Sequence, residues 1–139
     1  NCIPLDGKRE SGIVVRVIDG DTAEIKVGLL TYTVRYIGID TPETKKEGVS
    51  VQPWGPEATA RNRELVSGKR VTLIRDPKND DQDIYGRLLR YIIVDETFVN
   101  YQLVREGFAF LYISGHTCGP FFFDAYEAAQ AEKVGLFTP

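Results

Sequence analysis

Residues 12–39 read GIVVRVIDGDTAEIKVGLLTYTVRYIGI, and most of the fold can be inferred outward from them. The segment is rich in β-branched residues and contains three runs typical of strands: Gly12–Ile18, Thr22–Val27 and Tyr32–Ile39. Asp19-Gly20-Asp21 is a turn signal between the first two runs, and Gly28 marks the second connection. The pattern predicts a three-stranded meander.

The rest of the chain combines further strands with helices. A loop rich in Pro and Gly covers residues 41–55, and Pro56–Ser67 is bounded by the start and stop signals of a helix. Later strands and helices are predicted at Val71–Ile74, Leu88–Val94, Val99–Glu106 and Pro120–Lys133. Five short strands with a helix between the third and fourth match an α+β, mainly β fold: a five-stranded Greek-key OB-fold barrel with about three helices. Another α+β domain remains the alternative.

Length and composition indicate a single globular domain. The chain has 139 residues, 42% hydrophobic and 27% charged, and neither disorder nor a membrane-spanning segment fits this sequence. We expect residues 1–10 to be a flexible N-terminal arm and residues 11–139 to form one domain. The net charge of −3 lowers the expectation of a nucleic-acid partner, because such proteins are usually basic. It is compatible with carboxylates that hold a metal ion.

Two cysteines, Cys2 and Cys118, permit one disulfide, and two unpaired thiols are an equal alternative. Cys2 could instead carry a lipid. A disulfide fits an exported protein, because extracellular compartments permit such bonds, and we expect a secreted or cell-envelope location. The chain contains no methionine, which leads us to expect that it was processed or cut from a longer one.

Four carboxylates form the first candidate site: Asp19, Asp21, Asp40 and Glu43. If the first three strands run up, down and up, the ends of strands one and three share one end of the barrel. Clustered carboxylates repel one another and need a cation, and hard oxygen ligands favour Ca²⁺ or Mg²⁺ over zinc. Each motif taken singly, Asp-Gly-Asp or Asp-Thr-Pro-Glu, is also an ordinary turn sequence.

Two arginines are candidate phosphate ligands. Arg35 lies in an apolar strand, where a guanidinium is costly unless it is paired, and its planar fork suits phosphate. The alternatives are an ion pair with a structural carboxylate or extension of the side chain into solvent. Five residues separate Arg35 from Asp40, about 16 Å of straight strand, so the chain must curve to bring them together. Arg87 begins a strand after Tyr85-Gly86, where a plain flanking charge is equally common.

Other reaction types lack their residues. His116 is the only histidine, which excludes mechanisms that use two. With Cys118 it provides too few ligands for zinc, and we interpret it as a loop residue. The chain has no phosphate-binding loop of the Walker type, which argues against nucleoside triphosphate hydrolysis.

Several short segments occur together in a fixed order from about residue 12 to the C-terminus. They are VIDGDT at Val17–Thr22, Arg35 with IDTPET at Ile39–Thr44, GPEA at Gly55–Ala58, DIYGR at Asp83–Arg87, Val99–Asn100 and LVREG at Leu103–Gly107. In this order and spacing the chain resembles the staphylococcal nuclease family. Each segment is weak evidence, but the ordered set is highly specific. The resemblance implies an OB-fold and Ca²⁺-dependent hydrolysis of phosphodiester bonds in DNA and RNA, giving products with 3′-phosphates.

The resemblance also implies roles for matching residues. The expected metal ligands are the Asp21 and Asp40 carboxylates and the main-chain carbonyl of Thr41, with Asp19 in the outer coordination sphere. Glu43 would orient or deprotonate the attacking water. The residues expected to grip the phosphate and stabilise its developing charge are Arg35 and Arg87. Tyr85 and Tyr112 would bind the substrate, and we expect the protein to act as a monomer.

The chain departs from the family pattern at two places. Ile84 stands where some members carry Lys, so one contact to a neighbouring phosphate is expected to be missing. Tyr112 lies in the segment FAFLYI and is expected to be shifted from the members' tyrosines. The main alternative function is a non-catalytic OB-fold module that binds nucleic acid or protein, and a Ca²⁺-stabilised structural domain is a third. The joint presence of the site residues argues against the module.

Overall fold

The computed structural model describes residues 1–44, 51–112 and 115–139. Its elements in chain order are β1 Arg9–Asp19, β2 Thr22–Val27, β3 Leu30–Tyr36, β4 Ile39–Asp40, α1 Gly55–Val66, β5 Arg70–Ile74, β6 Leu88–Val94, β7 Thr97–Phe98, α2 Val99–Arg105, β8 Phe110–Leu111, α3 Gly119–Glu132 and a 3₁₀ turn at Gly135–Phe137.

Five strands close into a barrel in the order β3-β2-β1-β5-β6. β1 to β3 form the antiparallel meander expected from the sequence. β3 and β6 close the barrel with a parallel pairing, in which Val34 lies opposite Leu88. The predicted five-stranded OB-fold barrel with three helices is therefore confirmed. β7 extends the edge of β6, and β4 pairs with β8 in a separate two-stranded sheet.

β1 pairs with two neighbouring strands and contains two irregularities. Its first half pairs with β5 and its second half with β2, and the register against β2 shifts between Val14 and Arg16 and again between Val17 and Asp19. A bulge of this kind adds one residue to the strand and increases its bend. The second shift directly precedes the Asp19-Gly20-Asp21 turn, so it sets the direction in which the chain enters the candidate site.

The helices cover the barrel and complete one hydrophobic core. Tyr91 and Ile92 of β6 are fully buried, as are Leu103 of α2 and Phe122 of α3. The Tyr91 ring contacts Phe122 edge to face, with centroids 6.1 Å apart. In the described part of the chain, no helix is long and apolar enough to cross a membrane.

The observed strand ends differ from the predicted ones where a strand pairs with a segment that is distant in the sequence. β1 begins at Arg9, inside the segment expected to be an arm, because Arg9 and Glu10 pair with β5. The third strand was predicted to run to Ile39 but ends at Tyr36, since Gly38 has a φ of 82° that interrupts it. Ile39 instead begins β4, which pairs with the unpredicted β8.

Cys2 and Cys118 form a disulfide that ties the N-terminal segment to the start of α3. The two cysteines are 116 positions apart, so the bond closes nearly the whole chain. A crosslink of this kind stabilises a protein mainly by restricting its unfolded state. We expect reduction to lower the free energy of unfolding by about 2 to 4 kcal/mol.

Urea denaturation of oxidised and reduced protein, followed by circular dichroism, measures this difference. A Cys2→Ser variant provides the control, because added reductant should leave its denaturation curve unchanged. Superimposable curves for the oxidised and reduced wild-type protein would show that the crosslink contributes nothing to stability.

Candidate active site

One end of the barrel carries an open cleft of about 540 Å³. Seven of the eight residues predicted for the site line it: Asp21, Arg35, Asp40, Glu43, Tyr85, Arg87 and Tyr112. The eighth, Thr41, is buried directly behind the cleft, where its amide donates to Asp21 at 2.9 Å. The fold thus brings together residues that are up to 91 positions apart in the sequence, as the difference between Asp21 and Tyr112 shows.

The Asp21 carboxylate is held in place by the turn that follows β1. Its Oδ1 accepts a hydrogen bond from the Thr22 hydroxyl at 2.8 Å, and its Oδ2 accepts the one from the Thr41 amide. Gly20 permits this close approach, because a Cβ there would lie 2.6 Å from Thr41 Oγ1 and 2.9 Å from Ala58 Cβ. The glycine of the Asp-Gly-Asp motif is therefore required by packing against the next segment.

Arg35 reaches both metal-ligand candidates despite the distance expected along a straight strand. The interruption at Gly38 turns the chain back, so that Arg35 Nη1 donates to the Ile39 carbonyl at 2.7 Å. The same nitrogen lies 3.2 Å from Asp21 Oδ2, and Nη2 lies 3.5 Å from Asp40 Oδ1. The Arg35 side chain is only 12% exposed. Its charge is compensated by carboxylates that also face the cleft.

Asp19 is engaged mainly by hydroxyl groups. Its Oδ1 accepts hydrogen bonds from the Gly20 amide and from the hydroxyls of Thr44 and Thr59, at 2.9 to 3.1 Å. The Asp19 carbonyl accepts a 2.8 Å hydrogen bond from the buried Asn62 of α1. Sequence reasoning missed Thr59 and Asn62. Their signal was two polar side chains on the same face of α1 as Ala58 and Val66.

Glu43 lines the cleft together with the other acidic groups. Burial raises the pKa of its carboxyl, and the neighbouring Asp19, Asp21 and Asp40 raise it further. The contribution of the three aspartates is a negative potential that a cation would relieve. Thr41 Oγ1 is also buried without a hydrogen-bond partner among the described residues. Crowded hard oxygen atoms of this kind fit Ca²⁺.

No three acidic, His or Cys side chains in residues 1–44, 51–112 and 115–139 already converge as a ready-made metal site. The expected ligand set does not require such a group, because it contains two carboxylates and one main-chain carbonyl. The assignment of Asp21, Asp40 and Thr41 as metal ligands stays a prediction.

Asp83 organises the loop that carries Arg87, and sequence reasoning did not identify it as a site residue. Its Oδ1 accepts hydrogen bonds from the amides of Tyr85 and Arg87, and its Oδ2 accepts one from Arg87 Nε at 2.6 Å. Burial alone would raise the pKa of Asp83, but these hydrogen bonds outweigh it and the pKa is lowered. The Arg87 guanidinium also lies over the Tyr85 ring, 5.3 Å from its centroid.

Exposed aromatic and apolar side chains border the cleft. Tyr85 is 76% exposed and Tyr112 56%, and Ile84, between Asp83 and Tyr85, is 92% exposed. Tyr112 lies over the guanidinium of Arg35, with 5.7 Å between Cζ and the ring centroid. A second cavity of about 290 Å³ adjoins the cleft and shares Arg35, Arg87 and Tyr112 with it. Tyr112 therefore lies against Arg35, and Tyr85 lies against Arg87.

Comparisons with known proteins agree on one family. The family model described as staphylococcal nuclease homologue matches residues 33–138. The chain is 48% identical over 126 residues to the SPbeta prophage-derived endonuclease YokF of Bacillus subtilis (strain 168). The matched region covers 88% of this chain and 42% of YokF. The chain is 48% identical over 94 residues to endonuclease YncB of the same organism, covering 68% and 44%. It is 40% identical over 104 residues to the thermonuclease of Staphylococcus intermedius, covering 75% and 61%. The chain thus matches less than half the length of the two Bacillus relatives.

Proposed function

Because this chain belongs to the staphylococcal nuclease family, we propose that it is a nuclease that hydrolyses phosphodiester bonds of DNA and RNA. The observation that carries the proposal is the cleft, in which four carboxylates lie within one pocket with Arg35 and Arg87. Acidic groups that favour a cation, next to guanidinium groups that favour an anion, suit the phosphate of a nucleic-acid backbone. The relatives named as endonucleases and thermonuclease support the same activity.

The cofactor we propose is Ca²⁺, held by Asp21, Asp40 and the Thr41 carbonyl with Asp19 nearby. A bound Ca²⁺ would polarise the phosphate and offset the charge of the surrounding carboxylates. Repulsion among these carboxylates contributes to the raised pKa of Glu43, whose neighbours are the aspartates of the proposed metal site. A bound cation would reduce that repulsion. Hard oxygen donors suit both Ca²⁺ and Mg²⁺, and the choice of Ca²⁺ follows the family resemblance, since Mg²⁺ demands a tighter octahedral arrangement.

The side chains of the cleft divide the remaining work. Glu43 acts as the base that orients and deprotonates the attacking water. Arg35 and Arg87 bind the phosphate oxygens and stabilise the charge that develops on them. Tyr85 and Tyr112 offer exposed ring faces on which bases can stack without sequence preference. The products we propose carry 3′-phosphates, as the family resemblance implies.

The metal requirement can be tested with purified protein and single-stranded DNA. We expect cleavage with Ca²⁺, cleavage at least about 100-fold slower with Mg²⁺ alone, and no cleavage with a chelator. The reason is that the cation is expected to contribute about as much to the rate as one essential catalytic side chain. Restoring Ca²⁺ after chelation is the control for irreversible damage.

Full activity in the chelator would contradict the calcium proposal. DNA binding without turnover under every metal condition would support the binding module instead, and Ca²⁺ binding without DNA binding would support a structural domain. The outcomes are distinguishable because DNA cleavage, DNA binding and Ca²⁺ binding are each measured on the same protein.

We also propose that the protein acts as a monomer in a secreted or cell-envelope location. The Cys2–Cys118 disulfide supports an oxidising compartment. Thiol alkylation of protein taken directly from the cell envelope, medium and cytoplasm, with size-exclusion chromatography, tests both statements. If both thiols of the native protein are alkylated, the proposed secreted or cell-envelope location is contradicted.

A further inference from the structure

His116 is a buried polar side chain that the proposed reaction does not use. It is 8% exposed, and its ring contacts Phe122 of α3 with 5.4 Å between centroids. On the other side it lies against the main chain at Gly38, where a Cβ would come within 2.5 Å of His116 Cε1. The imidazole therefore occupies a fixed place between the β3–β4 connection and α3, next to the cavity that shares Arg35 and Arg87 with the cleft.

Both ring nitrogens of His116 have partners. Nδ1 lies 2.9 Å from the hydroxyl of Tyr91, and Nε2 lies 3.0 Å from the main-chain carbonyl of Tyr112. A carbonyl oxygen only accepts hydrogen bonds, so we assign a proton to Nε2. The Tyr91 hydroxyl also lies 2.9 Å from Asp76 Oδ2, so its single proton is shared between two acceptors, Asp76 and the unprotonated Nδ1 of His116. Through Tyr91, the ring is anchored to β6 at the centre of the core.

Tyr112 is held at both of its main-chain groups. Its amide donates to the Gly38 carbonyl at 2.9 Å, and its carbonyl accepts from His116. The side chain itself is half exposed and rests over the guanidinium of Arg35. The two main-chain contacts fix the backbone position from which this ring extends over Arg35.

We propose that His116 is a positioning residue that holds Tyr112 over Arg35 at the edge of the cleft. The consequence for catalysis rests on the proposed nuclease function, whereas the contact itself does not. Losing the His116 hydrogen bond would release one of the two main-chain anchors of Tyr112. The ring would then have to be ordered when a nucleotide binds, so substrate affinity would fall more than the chemical rate.

The kinetic test compares His116→Phe, which keeps the ring and removes both polar contacts, with His116→Gln, which keeps a donor near Nε2. We expect His116→Phe to raise KM for single-stranded DNA about fivefold, the factor that one typical net hydrogen bond corresponds to, with kcat changed less than about twofold. His116→Gln should restore KM to near the wild-type value. Val66→Ala, a core truncation in α1, is the control for lost stability and should leave KM unchanged.

A double-mutant cycle and an activity-independent signal complete the test. If His116 acts through Tyr112, His116→Phe should have no further effect on KM in a Tyr112→Ala background. With fluorotyrosine incorporated, the ¹⁹F resonance of Tyr112, assigned with Tyr112→Phe, should shift in His116→Phe and stay in place in Val66→Ala. If His116→Phe does not fold, His116→Asn replaces it, because Asn is too short to reach the Tyr112 carbonyl.

An unchanged Tyr112 resonance in a folded variant would overturn the proposal, as would an equal rise in KM with and without the Tyr112 side chain. A wild-type protein that does not cleave DNA would refute the nuclease function instead. In that case the ¹⁹F comparison still decides whether His116 positions Tyr112.

Discussion

Alanine at position 35 is expected to lower the single-turnover rate of DNA cleavage by about 10³-fold or more, the range found when an arginine that stabilises a phosphoryl transition state is removed. Arg35 is the guanidinium that lies between Asp21 and Asp40 at the base of the cleft, and it is 12% exposed. Its fixed hydrogen bond to the Ile39 carbonyl means that it needs little reorganisation to meet a phosphate.

Two further variants make the Arg35 result specific. Arg35→Lys keeps the charge and loses the planar fork, so its rate should fall between those of the wild-type protein and Arg35→Ala. Arg16→Ala removes a 65% exposed arginine of β1 that pairs with Glu24, and it should change the rate less than about twofold. Circular dichroism must show folded protein for each variant. Near-normal turnover by folded Arg35→Ala would mean that the assigned site is wrong and would favour the binding module.

Glutamine at position 43 is expected to lower the single-turnover rate by about 10²-fold or more, the contribution typical of a general base. The change removes the carboxylate and keeps the size of the side chain. The main chain of Glu43 is held by Gln52, whose side chain accepts from its amide at 2.8 Å and whose amide donates to its carbonyl at 2.9 Å. The segment should therefore keep its conformation in the variant.

Substrate binding should separate Glu43→Gln from the arginine variants. Losing a negative charge beside the phosphate does not remove an attractive contact, so Glu43→Gln should still bind Ca²⁺ and an uncleaved phosphorothioate oligonucleotide. Arg35→Ala and Arg87→Ala remove cationic contacts to the phosphate, and their affinity for the oligonucleotide can only stay equal or fall. Glu24→Gln, on the outer face of β2, is the matched control and should retain both rate and affinity. A folded Glu43→Gln with near-normal turnover would exclude Glu43 as the base.

Local sequence patterns were sufficient for the elements whose limits depend on short-range signals. β2 and β6 have the predicted bounds, and α1 and α3 begin and end within one residue of them. Runs of β-branched residues, turn sequences and the Pro and Gly at helix ends act over a few residues, so they can be recognised without the fold. The same holds for the carboxylates at the first turn and after the third strand, because turn positions place them at one end of a meander.

Pairings between distant segments could not be inferred in this way. β4 exists because Ile39 and Asp40 meet Leu111 and Phe110, some 70 positions later. The register shifts in β1 arise where one strand must bend to pair with both β2 and β5. Neither residue composition nor periodicity specifies these contacts, since identical strand residues can remain unpaired or pair in another register.

The acidic and basic residues of the site could be identified from the sequence, but their contact partners are determined by the folded structure. Asn62 and His116 stand in no motif that distinguishes them from polar residues on a surface, and Asp83, although it opens the DIYGR segment, carries no local sign that it binds Arg87. Asp83 gains its role from a contact with Arg87 in the same loop, and His116 from one with the nearby Tyr112 carbonyl. Contacts across the fold hold Asn62 against Asp19 and His116 against Tyr91. A polar side chain costs free energy when buried unless it finds such a partner, and only the packing of barrel, loops and helices determines which partners are within hydrogen-bonding distance.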